Sequence, residues 1–560
     1  MPRKLAREYV PGVYHMDRDR AWRALGERAF DLLVVGGGIN GAAIARDAAL
    51  RGRRVAVVEA EDWGAGTSSR SSRLIHGGVR YLEHGWLPLV FEASRERRRL
   101  LRLAPHLVRP LAFTWPIYRG ARVPRWKLTA GLLLYDALAL FRNVGTHRSF
   151  GRAGVLRAEP ALRPDGLTGG ARYWDAQTSD TRLTFANALD AVRLGAIACT
   201  HARVESLVHE GGRIAGAVVR DMLGDATTTV RARVVVNAAG PWSDGVRRLD
   251  DPAVRAGVRG TKGVHLLVPR ARVGNVGALT LIAPQDGRVW FTLPWGAFTI
   301  LGTTDTFDDS PPAEVRADAR DVAYLLEAAN HHFPAARLTR ADVRSAWAGL
   351  RPLVASASAG LPSSASREHE LVRSGSGLLS ITGGKLTTYR AMAAQVVDAV
   401  ERELGGPRRR GATDRRPLPG GDLPSLEAEE RAAAAAAGAD DVGRHWVALH
   451  GSEWRTVQAR VAAEPALGER LVADLPYVWA DVEHAIAAEG ACTVADVLVR
   501  RLSLAFECAD QGLTLATAVA ERLVARRGGT VNAEVTRYAE DVARLFRIED
   551  APRESPKRTG

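Results

Sequence analysis

Cysteine is nearly absent. The 560 residues contain three, Cys199, Cys492 and Cys508, with no CxxC pair and no metal-ligand spacing. A disulfide framework and a structural zinc are therefore not expected, and the thiols read as small buried hydrophobes in a reducing compartment. Long apolar runs are also missing: no window reaches about 18 uncharged apolar residues, the length a spanning helix needs. The N-terminal stretch "MPRKLAREYVPGVYHMDRDRAWRAL" is charged throughout and lacks the apolar centre of a secretory signal. This points to a cytoplasmic location. Lysine is scarce too, with only Lys4, Lys127, Lys262, Lys385 and Lys557 among 77 basic residues. A lysine inside a motif therefore marks a place where a compact ammonium suits better than a guanidinium fork.

Basic residues are abundant, giving a formal charge of +14. They are scattered, and no zinc-finger, RNP-type or basic-zipper pattern accompanies them, so nucleic acid is not the expected partner. An anionic substrate or an anionic membrane surface accounts for the charge instead. The segment Trp126 to Phe141, "WKLTAGLLLYDALALF", has aromatic flanks and Arg119, Arg122, Arg125 and Arg142 beside it. It fits either a buried helix or a helix lying on a membrane surface.

Periodicity divides the chain into a polar lead-in (1–29), a large mixed region (30–404), a Gly-, Pro- and Arg-rich linker (405–425), a helical domain (426–550) and a tail (551–560). Within 30–404 the pattern predicts an α/β class: a Rossmann-like cofactor domain (about 30–105, 180–250 and 345–404). Interleaved with it is an antiparallel-sheet substrate domain (about 106–179 and 251–344). Alternation in "ARVESLVHEGGRIAGAVVRD" predicts a hairpin turning at Gly211-Gly212.

"DLLVVGGGINGAAIARDAALRGRRVAVVEAED" reads as strand, glycine turn, helix and strand. Gly36, Gly38 and Gly41 form G-x-G-x-x-G, which serves a tight turn, a close backbone approach to a pyrophosphate and close helix–strand packing. Glu59 follows 18 residues after Gly41 and ends the second strand. Its carboxylate suits ribose hydroxyls and disfavours a 2′-phosphate, so NAD or FAD is expected over NADP. A second strand–turn–helix at "LLSITGGKLTTYRAMAAQVV" offers another helix N-terminus, suited to the negative charge of a reduced isoalloxazine ring.

These stretches, with "TSSRSSRLIHGGVRYLEHG", "VNAAGPWSD", "KGVHLLVP", "ILGTTDT", "GLRPL" and "TVADVLVRR", resemble the FAD-dependent sn-glycerol-3-phosphate dehydrogenase family. That family belongs to the glutathione-reductase-like flavoproteins, near the D-amino-acid-oxidase type. The resemblance implies oxidation of glycerol 3-phosphate at C2 to dihydroxyacetone phosphate, with hydride passing to flavin N5 and electrons to a membrane quinone. It also implies a peripheral position on the inner face of the cell membrane. An oxygen-using glycerol-3-phosphate oxidase and an amine or amino-acid oxidase of the same fold are the alternatives, and a homodimer is left open.

Carried over by motif, the cofactor residues are Gly36, Gly38, Gly41, Glu59, Ser68, Ser69, Ser72, Gly77, Gly240, Gly384, Lys385, Leu386 and Thr387. The substrate residues are Arg80, Tyr81, Arg351, Arg367 and Lys385, and His265 is a weaker candidate. Their chemistry agrees: a phosphate dianion wants arginine forks, and oxidising a carbinol needs a base or a cationic donor at the hydroxyl. His76 as base and Arg351 as polarising cation are both open at this point. Arg70 and Arg73 are expected at the surface or near a phosphate, without a catalytic role. The Gly77-Gly78 pair is expected to let backbone pass close to the flavin.

Overall fold

Strand Ala29–Val35 is apolar over nearly its whole length because it lies at the centre of a sheet covered on both faces. This sheet is ordered 369–373, 379–383, 227–237, 29–35, 55–58, 197–199. Its central strands are parallel and its 369–373 edge is antiparallel. The computed structural model describes residues 16–355, 369–407 and 409–550. Helices Ile39–Leu50, Asp180–Arg193 and Tyr389–Leu404 bury small and branched side chains on one face of the sheet. Helix Arg18–Glu27 and the hairpin of Ala202–Glu210 and Arg213–Asp221 cover the other. The hairpin turns at Gly211 and Gly212, both with positive φ, as the alternation requires.

The second sheet has ten strands and is mostly antiparallel, with 258–269 and 108–118 among its longest members. Helix Ala319–His332 closes one face. Helices of the C-terminal region close the other, where Trp347, Leu293 and Phe298 meet Val497, Leu498 and Phe506.

Two expectations are corrected. Residues 345–354 do not belong to the cofactor sheet: they pair in unbroken antiparallel register with the second sheet, from Val258↔Val354 to Leu267↔Ser345. Leu74–Ile75 likewise pairs with Gln177 and Ala176 of that sheet, although the sequence boundary was expected near 105. The 405–425 linker packs on the cofactor domain at several of its described residues. Thr413 Oγ1 donates to Asp47 Oδ2 at 2.9 Å, Arg46 Nη2 to Arg416 O at 2.8 Å, and Leu418 N to Leu103 O at 2.9 Å.

Helix Arg125–Leu138 resolves the ambiguity of the aromatic-flanked stretch by being two-faced. Leu128, Leu132 and Tyr135 are buried, while Trp126 is 73% and Leu133 54% exposed. Among the described residues no helix is long and apolar enough to cross a membrane.

Candidate active site

The first glycine turn is dictated by crowding. Gly36 has φ +109°, and a Cβ there would lie 2.7 Å from Ala238 O; one on Gly41 would lie 1.8 Å from Gly36 O. The second contact is what lets helix Ile39–Leu50 press against strand Ala29–Val35. Ser68 Oγ accepts from Ile39 N at 2.9 Å, so the serine loop meets this helix at its first turn. Glu59 accepts from Gly37 N at 2.5 Å and from Glu61 N at 2.9 Å, and burial raises its pKa. Cradle, helix N-terminus and carboxylate together fit a dinucleotide. Gly240 (φ +55°) comes two residues after Ala238, against which Gly36 packs, and has open space where its Cβ would be.

The second turn meets the His76 loop from 311 positions further along the chain. Gly383 and Gly384 have φ of +75° and +86°, and a Cβ on Gly384 would meet the Met392 thioether at 2.4 Å. Leu386–Thr388 then forms a 3₁₀ turn leading into helix Tyr389–Leu404. Thr387 binds His76 twice: its Oγ1 accepts from His76 N at 3.0 Å and donates to His76 O at 3.1 Å. Lys385 Nζ lies 3.7 Å from the centre of the buried Tyr81 ring, a cation–π contact. His76, Tyr81, Lys385 and Thr387 therefore stand together.

Gly77 and Gly78 are needed for a reason the sequence did not reveal. A Cβ on Gly77 would sit 2.3 Å from Tyr135 Oη, and one on Gly78 would sit 2.2 Å from the Tyr81 ring. The protein's own packing demands both glycines, whatever ligand lies above. Beneath them Asp175 accepts from Gly77 N at 3.1 Å and Tyr135 Oη at 2.7 Å, and pairs with Arg97.

A third group comes from "KGVH", "ILGTTDT" and "GLRPL". Arg351 donates to Asp305 Oδ1 at 2.9 Å and Thr303 Oγ1 at 3.1 Å. A Cβ on Gly263 would come within 2.3 Å of Arg351 Nη2, so the backbone itself makes room for the guanidinium. His265 shares a 2.8 Å hydrogen bond with Ser72 and stacks on Trp347 at 5.3 Å. Burial, with Arg351 and Arg73 nearby, lowers its pKa to about 3, so the ring is neutral at pH 7. Ser72 thus stands with His265, while Ser68 stands at the glycine turn; Ser69 Oγ donates to Gly66 O at 3.3 Å. Asp305 was missed because the carboxylate in "ILGTTDT" has no spacing signal of its own.

Arg73 is not at the surface. Its guanidinium is buried over Trp295 at 4.2 Å and Phe506 at 4.8 Å. Lys262 is taken up by Asp318 and Asp321, at 2.9 and 2.8 Å, so its ammonium serves an ion-pair cluster apart from Arg351. Arg80 lies in the 3₁₀ turn Val79–His84, but its side chain is outside the described residues, as is all of Arg367.

Residues 31–390 match the model of the FAD dependent oxidoreductase family, and 411–530 match the C-terminal domain of alpha-glycerophosphate oxidase. The chain is 39% identical over 528 residues to glycerol-3-phosphate dehydrogenase 2 of Mycobacterium tuberculosis, covering 92% of this chain and 89% of that protein. It is 37% identical to the human mitochondrial glycerol-3-phosphate dehydrogenase over 498 residues, 85% of this chain and 68% of that one. The crystal structure of glycerol-3-phosphate dehydrogenase from Bacillus halodurans, complexed with FAD, superposes with TM-score 0.78 at 32% identity. It covers 95% of this chain and 99% of that chain. Glycine oxidase from Geobacillus kaustophilus, at 20% identity and TM-score 0.52, shares the fold. The chain is an FAD-dependent oxidoreductase and belongs to the glycerol-3-phosphate dehydrogenase family.

Proposed function

We propose that the chain oxidises sn-glycerol 3-phosphate to dihydroxyacetone phosphate and delivers the electrons to a membrane quinone. The observation that carries this reading is the fixed Arg351 fork. Asp305 and Thr303 orient it beside the neutral His265, in a sheet that meets the His76–Lys385 group through Ser72 and Leu74–Ile75.

FAD, when bound, supplies the two-electron acceptor. The chain's residues do the rest. Lys385, with Arg80 and Arg367, binds the phosphate dianion. Arg351 holds the C2 oxygen and favours its ionised form, and Asp305 keeps the guanidinium from turning. His76 takes the hydroxyl proton as the ketone forms. His265 is the poorer base because its pKa is held near 3; it fixes Ser72 and the wall of the site.

Helix Arg125–Leu138 supports the membrane part of the reading. Its inner face puts Tyr135 under Gly77, while Trp126, Leu133, Phe141 and Val144 on and just after it are exposed. Arg122, Arg125, Lys127 and Arg142 flank them, a composition suited to an anionic bilayer.

An oxygen-using oxidase is the second reading, favoured by the C-terminal family match. Turnover on anionic vesicles with and without a ubiquinone analogue decides between them. Quinone-dependent turnover that Trp126→Glu/Phe141→Glu weakens supports the proposal. Stoichiometric peroxide without benefit from quinone supports the oxidase.

A further inference from the structure

We infer that the C-terminal helical domain is a clasp on the cofactor loop, and that Arg501, Arg500 and Arg544 are positioning residues for FAD retention. The inference rests on FAD lying at the Gly36–Gly41 turn, as read above.

The chain leaves strand Val55–Val58 through residues 59–65, and this segment wraps the glycine turn. Glu59 accepts from Gly37 N, Gly64 N donates to Gly37 O at 3.0 Å, and the buried Trp63 ring lies where a Gly37 Cβ would be, at 2.7 Å. Gly37 stands between the two glycines that shape the turn, so its position follows that of residues 59–65.

Two consecutive carboxylates in this segment are held from residues more than 400 positions away. Arg501 grips Asp62 through both nitrogens, Nη2 to Oδ1 at 3.0 Å, and both side chains are at most 1% exposed. Arg501 Nη2 also donates to Glu489 O at 3.2 Å, tying the pair to its own domain. Arg500 and Arg544 each reach Glu61 at 3.2 Å. His201, whose N donates to Glu61 O at 2.6 Å, is bound through Nε2 to Asp496 at 2.9 Å. The loop is thus fixed by the guanidinium forks of Arg501 and, from helix Val531–Phe546, Arg544, with a single bond from Arg500.

A bidentate arginine–carboxylate pair sets orientation as well as distance, which a lysine does not reproduce. A buried pair of this kind is a weak source of stability but strongly resists rearrangement once formed. The loop it holds supplies Glu59 and seats Gly37, so loosening the clasp reaches the dinucleotide before it reaches Arg351 or Lys385.

The test is the rate at which full-length holoenzyme, diluted into flavin-free buffer, releases FAD, followed by the rise of flavin fluorescence. Arg501→Lys is expected to release FAD about tenfold faster than wild type, and Glu61→Gln severalfold faster. Arg470→Lys, which disturbs the Arg470–Asp441 pair within the helical domain, is expected to match wild type. Glu61 is about one-third exposed, so its variant decides the matter should Arg501→Lys fail to fold. Wild-type release from Glu61→Gln, or release from Arg470→Lys as fast as from Arg501→Lys, overturns the clasp. Protein purified without FAD and unable to take it up overturns the cofactor reading itself.

Discussion

Lys385 Nζ sits 3.7 Å above the Tyr81 ring, although the two residues come from opposite ends of the cofactor region. The contact places the cation where the His76 loop and the second glycine turn meet. A compact ammonium concentrates its charge at that point, which a planar guanidinium fork spreads over a wider front. Lys385→Met is expected to raise KM for glycerol 3-phosphate by about tenfold or more, and Lys385→Arg is expected not to restore it. Steady-state kinetics at saturating acceptor check this; full recovery in Lys385→Arg would show that a compact ammonium is not required there.

Arg351 is oriented by Asp305 and Thr303. Arg351→Lys loses the fork and is expected to lower kcat by about 100-fold, with yellow, flavin-loaded protein still recovered. Asp305→Asn is expected to have a smaller effect, because the guanidinium stays but turns. Single-turnover flavin reduction under anaerobic conditions measures both, and equal rates in wild type and Arg351→Lys would exclude Arg351 from the reaction.

His106 gives a pH signature unconnected with catalysis. Burial, with Arg182 and Arg109 nearby, lowers its pKa to about 3. Unfolded, the same side chain titrates near its ordinary value of about 6.5. Between these values the unfolded chain binds the extra proton, so the stability contribution is present above pH 6.5 and is lost as pH falls toward 3. At pH 5 the loss is about 2 kcal/mol. Wild type is therefore expected to lose about 2 kcal/mol more than His106→Gln between pH 7 and pH 5, measured by urea unfolding at the two pH values. Parallel losses would show that His106 is not the proton-linked group.

Spacing made the nucleotide turn and Glu59 legible, because strand, glycine turn, helix and a carboxylate 18 residues on form one pattern, whereas His265, Arg351 and Lys385 entered only through the family resemblance of the motifs that hold them. The same spacing was silent on Asp175, Arg97 and Tyr135, which support Gly77 from three separate elements. Long-range packing of single side chains leaves no period in the sequence. Arg73 shows the limit most plainly: it is expected at the surface or near a phosphate, yet Trp295 and Phe506, more than 200 residues away, enclose it. The strand boundary at 345 was missed for a related reason. "SAWAGLRPLV" alternates acceptably for either sheet, and only its register with 258–267 assigns it.

The central claim is that glycerol 3-phosphate reduces the flavin at this site. Anaerobic titration of the purified holoenzyme, followed by the flavin absorbance near 450 nm, tests it directly. The account expects bleaching by sn-glycerol 3-phosphate and none by D-amino acids or sarcosine. Bleaching by an amino acid, with no response to glycerol 3-phosphate, would contradict it.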